Sequence, residues 1–261
     1  MNISKIKNLL TENTFINEVI YLDEVNSTNE YCRNEKNGDN LLVVAGYQTS
    51  GRGRFDRVWE SEPGKNLLFS IKKKIPRKPG NYFSVNFYFT CFLLESIINH
   101  LQSNGFIFDK DLFEIKWPND LLYDGKKLSG LLIESIVNKS EFIIGIGINV
   151  NQTKFPPSLD SNTTSLKKIT RTDIELEQLL SDILHGFSDD FGLLGEEKSG
   201  FIYNNWKKYF KMGGRKVSFL DIEGREDFAQ IIDINQDGSI KLLKNGKITN
   251  HFSGEIKLRT N

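Results

Sequence analysis

The chain has 261 residues, with 34 basic and 34 acidic side chains, a hydrophobic fraction of 38% and a charged fraction of 26%. These values are typical of a globular protein of one or two domains, and zero net charge argues against non-specific coating of nucleic acid by excess Lys and Arg. The two cysteines are far apart, which argues against a disulfide framework, and the three histidines are scattered, which argues against a transition-metal site. No apolar stretch reaches about 18 residues, which argues against a membrane span. We therefore expect a reduced, cytoplasmic protein.

The first half of the chain alternates helical and strand patterns. In chain order we predict a short amphipathic helix over 3–10, a helix that begins at 26–28, a buried strand over 41–47, a strand over 66–72 and a buried helix over 83–101. The second helix is predicted because Asn26-Ser27-Thr28 offers several N-cap side chains.

The pattern of the second half of the sequence predicts two structurally different regions. The elements up to residue 212 are a strand over 114–117 ended by Pro118, a hairpin turn at Asp124-Gly125, strands over 127–137 and 141–150, and helices over 173–191 and 199–211. Beyond Gly213-Gly214, short alternating segments at 216–221, 228–235, 239–243 and 247–252 are separated by tight turn pairs, a pattern that indicates a small antiparallel barrel. The predicted fold class is α+β: a mixed-sheet domain packed with helices over 1–212, then a small β-barrel domain over 213–261.

The most unusual segment is residues 48–59, which directly follow a predicted buried strand. It carries three arginines within six positions and two glycines: Arg52, Arg54, Arg57, Gly51 and Gly53. Glycine lets the backbone approach a ligand closely, and arginine can grip phosphate or carboxylate with two hydrogen bonds. The Walker and dinucleotide-binding patterns both fail here. A solvated basic loop is the alternative, but dense arginines without a counter-anion repel one another.

Two further segments carry polar side chains beside apolar strands. Lys116-Trp117-Pro118-Asn119-Asp120 ends a predicted strand, and Lys127 emerges from the hairpin that follows; a surface hairpin with ordinary lysines is the alternative. A lysine beside an acidic turn can neutralise charge on a reacting phosphate. The segment 145–151 is predicted to be a core strand, but Asn149 must find hydrogen-bond partners there, and its amide suits a purine edge.

Together these segments resemble the biotin protein ligases, also called biotin–[acetyl-CoA-carboxylase] ligases. The matching residues, in the family's order, are Ser27-Thr28-Asn29, YQTSGRGR at 47–54, KWPND at 116–120 with Lys127-Leu128-x-Gly130, and GIGINVN at 145–151. The resemblance runs from about Tyr21 to the C-terminus, where FSGEI at 252–256 resembles the end of the family's SH3-like barrel. One departure is Asp56, which places a negative charge where family members commonly carry glycine.

The resemblance implies a two-step reaction that uses ATP and Mg²⁺. The biotin carboxylate attacks the α-phosphate of MgATP to give biotinoyl-5'-AMP and pyrophosphate. The amine of a specific lysine on a biotin carboxyl carrier protein, an acetyl-CoA carboxylase subunit, then displaces AMP. The sequence leaves open the metal ligands and whether the protein is a monomer or a homodimer.

The resemblance also implies site residues. The catalytic residues would be Lys127, Arg54, Asp120 and Lys116. Biotin would be bound by Ser27, Thr28, Asn29, Gln48, Gly51, Arg52, Gly53, Arg54, Lys127 and Gly130. The adenylate or ATP would be bound by Arg52, Arg57, Trp59, Asn119, Lys127 and Asn149. Asp120 would orient the acceptor lysine and help it lose its proton, because only a neutral amine is a nucleophile.

Three alternatives remain from the sequence. A lipoate or octanoate ligase shares the catalytic fold but not the pairing of GRGR with KWPND. A biotin-responsive repressor carries an N-terminal winged helix-turn-helix of roughly 60 residues, and only Met1 to Leu22 precede the matching region, so we expect no nucleic-acid partner. A non-catalytic binding module would require the loss of Lys127 or the arginines, and all are present.

Overall fold

A computed structural model describes residues 1–10, 14–35, 38–75, 81–136, 141–188, 194, 199–221 and 223–258. Its described helices are α1 (Ile3–Leu9), α2 (Thr28–Asn34), α3 (Asn81–Ser103), α4 (Pro157–Asp160), α5 (Leu166–Thr170), α6 (Leu176–Ser188) and α7 (Ser199–Lys208). Its described strands are β1 (Glu18–Leu22), β2 (Leu41–Ala45), β3 (Leu67–Lys74), β4 (Phe113–Lys116), β5 (Asp120–Tyr123), β6 (Lys126–Ile136), β7 (Glu141–Ile148), β8 (Lys216–Leu220), β9 (Glu226–Ile234), β10 (Ile240–Lys244), β11 (Lys247–His251) and β12 (Glu255–Leu258).

Seven strands form one mixed sheet in the order β1-β2-β3-β7-β6-β5-β4. Strand β1 runs parallel to β2, and the other neighbours are antiparallel. Every residue of β2 is buried, which explains its continuous apolar run without alternation. One face of the sheet packs into the main core with α3, α6 and α7, while α2 lies against β2, β3 and β7. Both faces of the central strands are therefore covered by helices.

The long helix α3 confirms the prediction of a buried helix in the middle of the chain. Its residues from Val85 to Leu101 are apolar on most sides and are mostly buried, in contact with α6 and α7. Among the residues that the structure describes, no helix is both long enough and apolar enough to cross a membrane.

Five strands form a second, antiparallel sheet in the order β11-β10-β9-β8-β12. Its turns use residues with positive φ, among them Gly238 and Gly246, as the turn pairs in the sequence predict. The second sheet is joined to the first by a hydrogen bond of 2.9 Å from Trp117 Nε1 to the Gly238 carbonyl, and by an ion pair of 2.9 Å between Arg215 and Glu114. One hydrophobic cluster continues through both regions.

Several features differ from the sequence prediction, among them α4, α5, β1 and β5, which were not predicted, and the place of Asp120. The edge strand β1 was not predicted, because its five residues show no clear alternation and none is fully buried. Asp120 does not trail a strand end: it is the first residue of β5, after the turn at Trp117–Asn119. The Asp124-Gly125 hairpin is confirmed, with φ of 50° and 71° at its two turn residues.

Candidate active site

A cavity of about 510 Å³ lies between residues 52–60, the first turn of α2, strands β4 to β7 and the edge strand β12. The residues predicted from the sequence that line it are Ser27, Thr28, Asn29, Gln48, Arg52, Gly53, Arg54, Arg57, Trp59, Lys116, Asn119, Asp120, Lys127, Gly130 and Asn149. Gly51 is the predicted site residue that does not line the cavity. Segments far apart in the sequence therefore converge on one site.

The arginine-rich segment folds into a small hairpin. The Trp59 N–H donates to the Gly51 carbonyl at 2.8 Å, and the Gly53 N–H donates to the Arg57 carbonyl at 2.7 Å. Phe55, at the tip, has a left-handed backbone with φ of 55°. A Cβ on Gly51 would lie 3.0 Å from the Trp59 carbonyl oxygen, so glycine at this position allows the two arms to close.

The second sheet reaches this hairpin through an ion pair. The guanidinium of Arg57 pairs with the carboxylate of Glu255, the first residue of β12. Arg54 lies with its guanidinium carbon 6.0 Å from the centroid of the buried Trp117 ring. The side chain of Asp56, the departure from the family pattern, lies outside the described part of the structure.

A cluster of charges lies at the centre of the cavity. Lys127 Nζ lies 2.8 Å from Asp120 Oδ1 and 5.4 Å from the centroid of the Trp59 ring. A Cβ on Gly130 would lie 3.1 Å from Lys127 Nζ and 3.2 Å from Asp120 Oδ1, so glycine leaves room for the pair. Lys116 lines the same region of the cavity.

The environment shifts two of these groups. Burial alone would raise the pKa of Asp120, but the charges of Lys127, Lys116 and Arg54 outweigh it and hold the pKa below its ordinary 3.8. Burial lowers the pKa of Lys116 below 10.5; Asp120 opposes this shift, and Lys127 adds to it. Asp120 is therefore a carboxylate at neutral pH, and it offsets part of the concentrated positive charge.

A polar pocket lies at the start of α2. The Thr28 N–H donates to Gln48 Oε1 at 2.7 Å, and Thr28 Oγ1 lies 2.6 Å from the hydroxyl oxygen of Ser70. Asn29 Nδ2 donates to Glu134 Oε2 at 2.8 Å. Sequence reasoning missed Ser70 and Glu134. Ser70 could have been recognised in the sequence as a polar residue within an apolar strand. Asn149 was chosen as a candidate site residue for the same reason.

At the other end of the cavity, the Trp59 indole lies against Gly147. A Cβ on Gly147 would lie 2.6 Å from Trp59 Cε2, so any side chain larger than that of glycine would clash with the indole ring. The buried side chain of Asn149 has no hydrogen-bond partner among the described residues, which leaves its amide for a ligand. Asn119 differs: its side-chain amide donates to the Leu131 carbonyl, so part of its hydrogen-bonding capacity holds β6 in place.

Comparisons with known proteins agree with this geometry. The model of the biotin/lipoate A/B protein ligase family matches residues 21–151. The chain is 29% identical over 250 residues to the bifunctional ligase/repressor BirA of Bacillus subtilis, covering 92% of this chain and 74% of the relative. It is 30% identical over 130 residues to the biotin–[acetyl-CoA-carboxylase] ligase of Mycobacterium tuberculosis, covering 49% and 45%. The solved structure of the Aquifex aeolicus biotin protein ligase with biotin and ATP superposes with a TM-score of 0.78 and 27% identity, over 94% of this chain and 100% of that one.

Proposed function

The chain belongs to the biotin/lipoate A/B protein ligase family, and on this premise we propose that it is an ATP-dependent biotin protein ligase. It activates biotin as biotinoyl-5'-AMP and transfers it to a specific lysine of a biotin carboxyl carrier protein, an acetyl-CoA carboxylase subunit. The observation that carries this proposal is a single cavity with a buried hydrogen-bonding pocket at one end and clustered lysines and arginines at its centre. The first suits an uncharged polar head group, and the second suits a carboxylate and a phosphate.

The ureido ring of biotin binds in the polar pocket at the start of α2. Thr28 and Gln48 lie within hydrogen-bonding distance of each other there, and Ser27 and Asn29 also line the cavity. The valeryl chain then extends toward Gly130 and Lys127, which brings the carboxylate of biotin to the cations. Arg52, Gly53 and Arg54 close over the bound ligand.

The first step joins two anions, so the site must neutralise negative charge. The carboxylate oxygen of biotin forms a bond to the α-phosphorus of ATP, and the bond to the pyrophosphate oxygen breaks. Lys127 and Arg54 bind the oxygens on which negative charge develops, and Lys116 adds to the positive field. In the cavity these cations replace water, so each interaction is stronger than it is in solvent.

The adenine end is formed by Trp59 and Asn149. The indole covers the adenylate, and the side-chain amide of Asn149 donates to and accepts from the edge of the purine. Arg52 and Arg57 lie on the phosphate side. Asn119 acts mainly by holding β6, since its amide already donates to a backbone carbonyl.

In the second step, the lone pair of the acceptor amine attacks the carbonyl carbon of the mixed anhydride, and AMP leaves with the bonding electrons. The incoming lysine gives up one proton to water before it attacks, and its nitrogen gives up a second proton to water as the amide forms. Asp120 binds and orients the ammonium group before this proton loss. Its pKa below 3.8 makes it a weak base, so positioning the amine matters more than accepting its proton. Once a phosphate oxygen engages Lys127, Asp120 is released for this role.

Mg²⁺ enters as part of the substrate MgATP. Among the described residues, no group of three or more His, Cys, Asp or Glu side chains converges where it could hold a metal ion. Mg²⁺ is commonly held by phosphates and water with one or two carboxylates, so a protein cage is not needed. The positive charge of the protein cavity comes from Lys and Arg.

The remaining proposals concern organisation. The second sheet is an SH3-like barrel that forms a domain over 213–261, and residues 1–212 form the catalytic domain. The Arg57–Glu255 ion pair supports a contribution of the second sheet to the active site. The cytoplasmic location of the protein and its oligomeric state, monomer or homodimer, stay predictions.

A lipoate or octanoate ligase is the alternative in the same family. The polar pocket favours biotin, because a dithiolane or an alkyl chain would occupy a pocket lined by the polar side chains of Thr28 and Gln48 without forming hydrogen bonds to them. The test is ATP–pyrophosphate exchange with purified protein. We expect exchange that depends on biotin, while exchange supported by lipoate or octanoate and not by biotin would refute the proposal.

A further inference from the structure

The arginine hairpin carries two exposed apolar side chains at the edge of the cavity. Phe55 and Val58 both line the cavity, and they are 45% and 65% exposed to solvent. We call this pair the apolar rim. We propose that the apolar rim is a docking surface for the carrier domain that brings the acceptor lysine. The proposal rests on the proposed function and names residues that act in the second step of the reaction and not in the first.

The position of the reacting groups decides where the carrier domain must lie. In the proposed reaction the mixed anhydride forms beside Lys127, which lines the cavity with Nζ 2.8 Å from Asp120 Oδ1. A lysine side chain has only four carbons between its backbone and its amine, so the backbone of the acceptor lysine must come to the mouth of the cavity. Exposed residues that line the same cavity therefore lie where the surface of the carrier domain arrives.

The neighbours of Val58 show which way its side chain points. Trp59 packs against Gly147 of the main sheet, since a Cβ on Gly147 would lie 2.6 Å from the indole. Val58 forms an antiparallel bridge with Arg52 across the hairpin, so the chain is extended there and successive side chains point to opposite faces. Val58 therefore points away from the sheet, in agreement with its exposure. Trp59 is placed to cover a ligand, and Val58 faces outward, where a partner protein can contact it.

The backbone of Phe55 is unfavourable for an aromatic residue. Its φ of 55° and ψ of 42° lie in the left-handed region, which glycine and asparagine adopt at a lower cost. The guanidinium carbon of Arg54 lies 5.0 Å from the centroid of the Phe55 ring, and the ring belongs to neither hydrophobic cluster of the described residues. Folding therefore gains little from a phenylalanine at this position, and its apolar surface is available for an interface.

Position distinguishes the apolar rim from other exposed apolar residues. Single exposed apolar side chains are common on protein surfaces, so exposure alone does not define an interface. Phe201 and Ile107 are 53% and 92% exposed, and neither lines the cavity. Phe55 and Val58 lie three positions apart on one hairpin, at the mouth through which the acceptor lysine must enter. We therefore expect the carrier domain to present an apolar surface next to its acceptor lysine.

The variants Phe55→Asn and Val58→Ser remove the apolar surface while keeping the hairpin. Asparagine adopts the left-handed region more readily than phenylalanine, so the backbone at position 55 keeps its shape. Phe55→Leu keeps an apolar side chain but removes the ring beside Arg54, so it separates docking from an effect on that guanidinium. Phe201→Asn is the matched control, because it removes a comparably exposed phenylalanine that does not line the cavity.

Three rates separate docking from chemistry. Biotin-dependent ATP–pyrophosphate exchange measures the first step, and transfer to a biotin carboxyl carrier domain measures docking together with the second step. Transfer to hydroxylamine measures the second step without docking: its nitrogen bonds to the anhydride carbon, AMP leaves, and the proton goes to water. Phe55→Asn should lower kcat/KM for the carrier domain about 30-fold, and Val58→Ser about tenfold, chiefly by raising KM. Both variants should keep exchange and hydroxylamine transfer within about twofold, and Phe55→Leu and Phe201→Asn should keep all three rates within about threefold.

The outcomes distinguish the apolar rim from its alternatives, and either variant alone suffices if thermal unfolding shows that the other does not fold. An unchanged kcat/KM for the carrier domain in folded Phe55→Asn or Val58→Ser would overturn the docking role and leave the ligase assignment intact. Exchange that falls as much as carrier transfer would also overturn it, because the residues would then serve the bound ligand. A changed sedimentation coefficient of the variants without carrier domain would assign the surface to a second copy of this chain instead. No biotin-dependent exchange in the unaltered protein would overturn the ligase assignment and the docking role together.

Discussion

Replacing Lys127 by Ala should abolish most adenylate formation while leaving the protein folded. Lys127 Nζ lies 2.8 Å from Asp120 Oδ1 inside the cavity and is the cation proposed to bind the carboxylate and the α-phosphate. Two unit charges about 4 Å apart at an effective dielectric constant of about 20 interact by about 4 kcal/mol. If that interaction is made mainly in the transition state, kcat for pyrophosphate exchange should fall about 1000-fold.

The neighbouring lysine provides a matched control. Lys126 is exposed and does not line the cavity, so Lys126→Ala should leave exchange within about twofold of the unaltered protein. Lys127 is 37% exposed, and its removal leaves Asp120 near Lys116, so the fold should survive, as thermal unfolding would show. Near-normal exchange in folded Lys127→Ala would refute the reasoning about this cation.

Three other results are expected. Asp120→Asn should slow single-turnover transfer from preformed biotinoyl-AMP more than it slows adenylate formation, and unchanged transfer would remove Asp120 from the mechanism. The pKa of Asp120 in the folded protein lies below 3.8, so its negative charge stabilises the fold above about pH 4. The loss of unfolding free energy in this variant should therefore shrink as the pH falls through the folded pKa. Gly147→Ala should displace the Trp59 indole and raise the KM for ATP about 100-fold; an unchanged KM would show that the indole does not cover the nucleotide. Hydrogen exchange over residues 50–57 should slow when biotinoyl-AMP binds, because its phosphate adds negative charge beside the arginines of this segment. Equal protection with and without the ligand would show that the segment does not close over the ligand.

The sequence predicted the fold best where the local pattern was strong. The apolar run at 41–45, the buried helix α3 and the Asp124-Gly125 turn each have one favourable structure, whatever surrounds them. Strand β1 has a weaker pattern, and its place at the sheet edge depends on pairing with β2. Such a pairing is a tertiary property that no short window of sequence contains.

The site shows the same limit. Arg54, Lys127 and Asn149 could be found as charged or polar residues beside apolar strands, and the structure brings them to one cavity. Ser70 and Glu134 form hydrogen bonds with residues at the start of α2, and only the fold brings them next to that part of the cavity. Gly51 was predicted from its motif; it lies where the two arms of the arginine hairpin approach each other, and a contact of its backbone with biotin stays a prediction.

The most direct test of the central claim follows the whole reaction in one tube. The purified protein is mixed with radiolabelled biotin, MgATP and a biotin carboxyl carrier domain, and label is measured on that domain and on a variant whose acceptor lysine is replaced by Arg. The account predicts ATP-dependent label on the lysine of the unaltered domain, none on the variant, and none when labelled lipoate replaces biotin. Label from lipoate but not from biotin, or no transfer by folded protein, would contradict it.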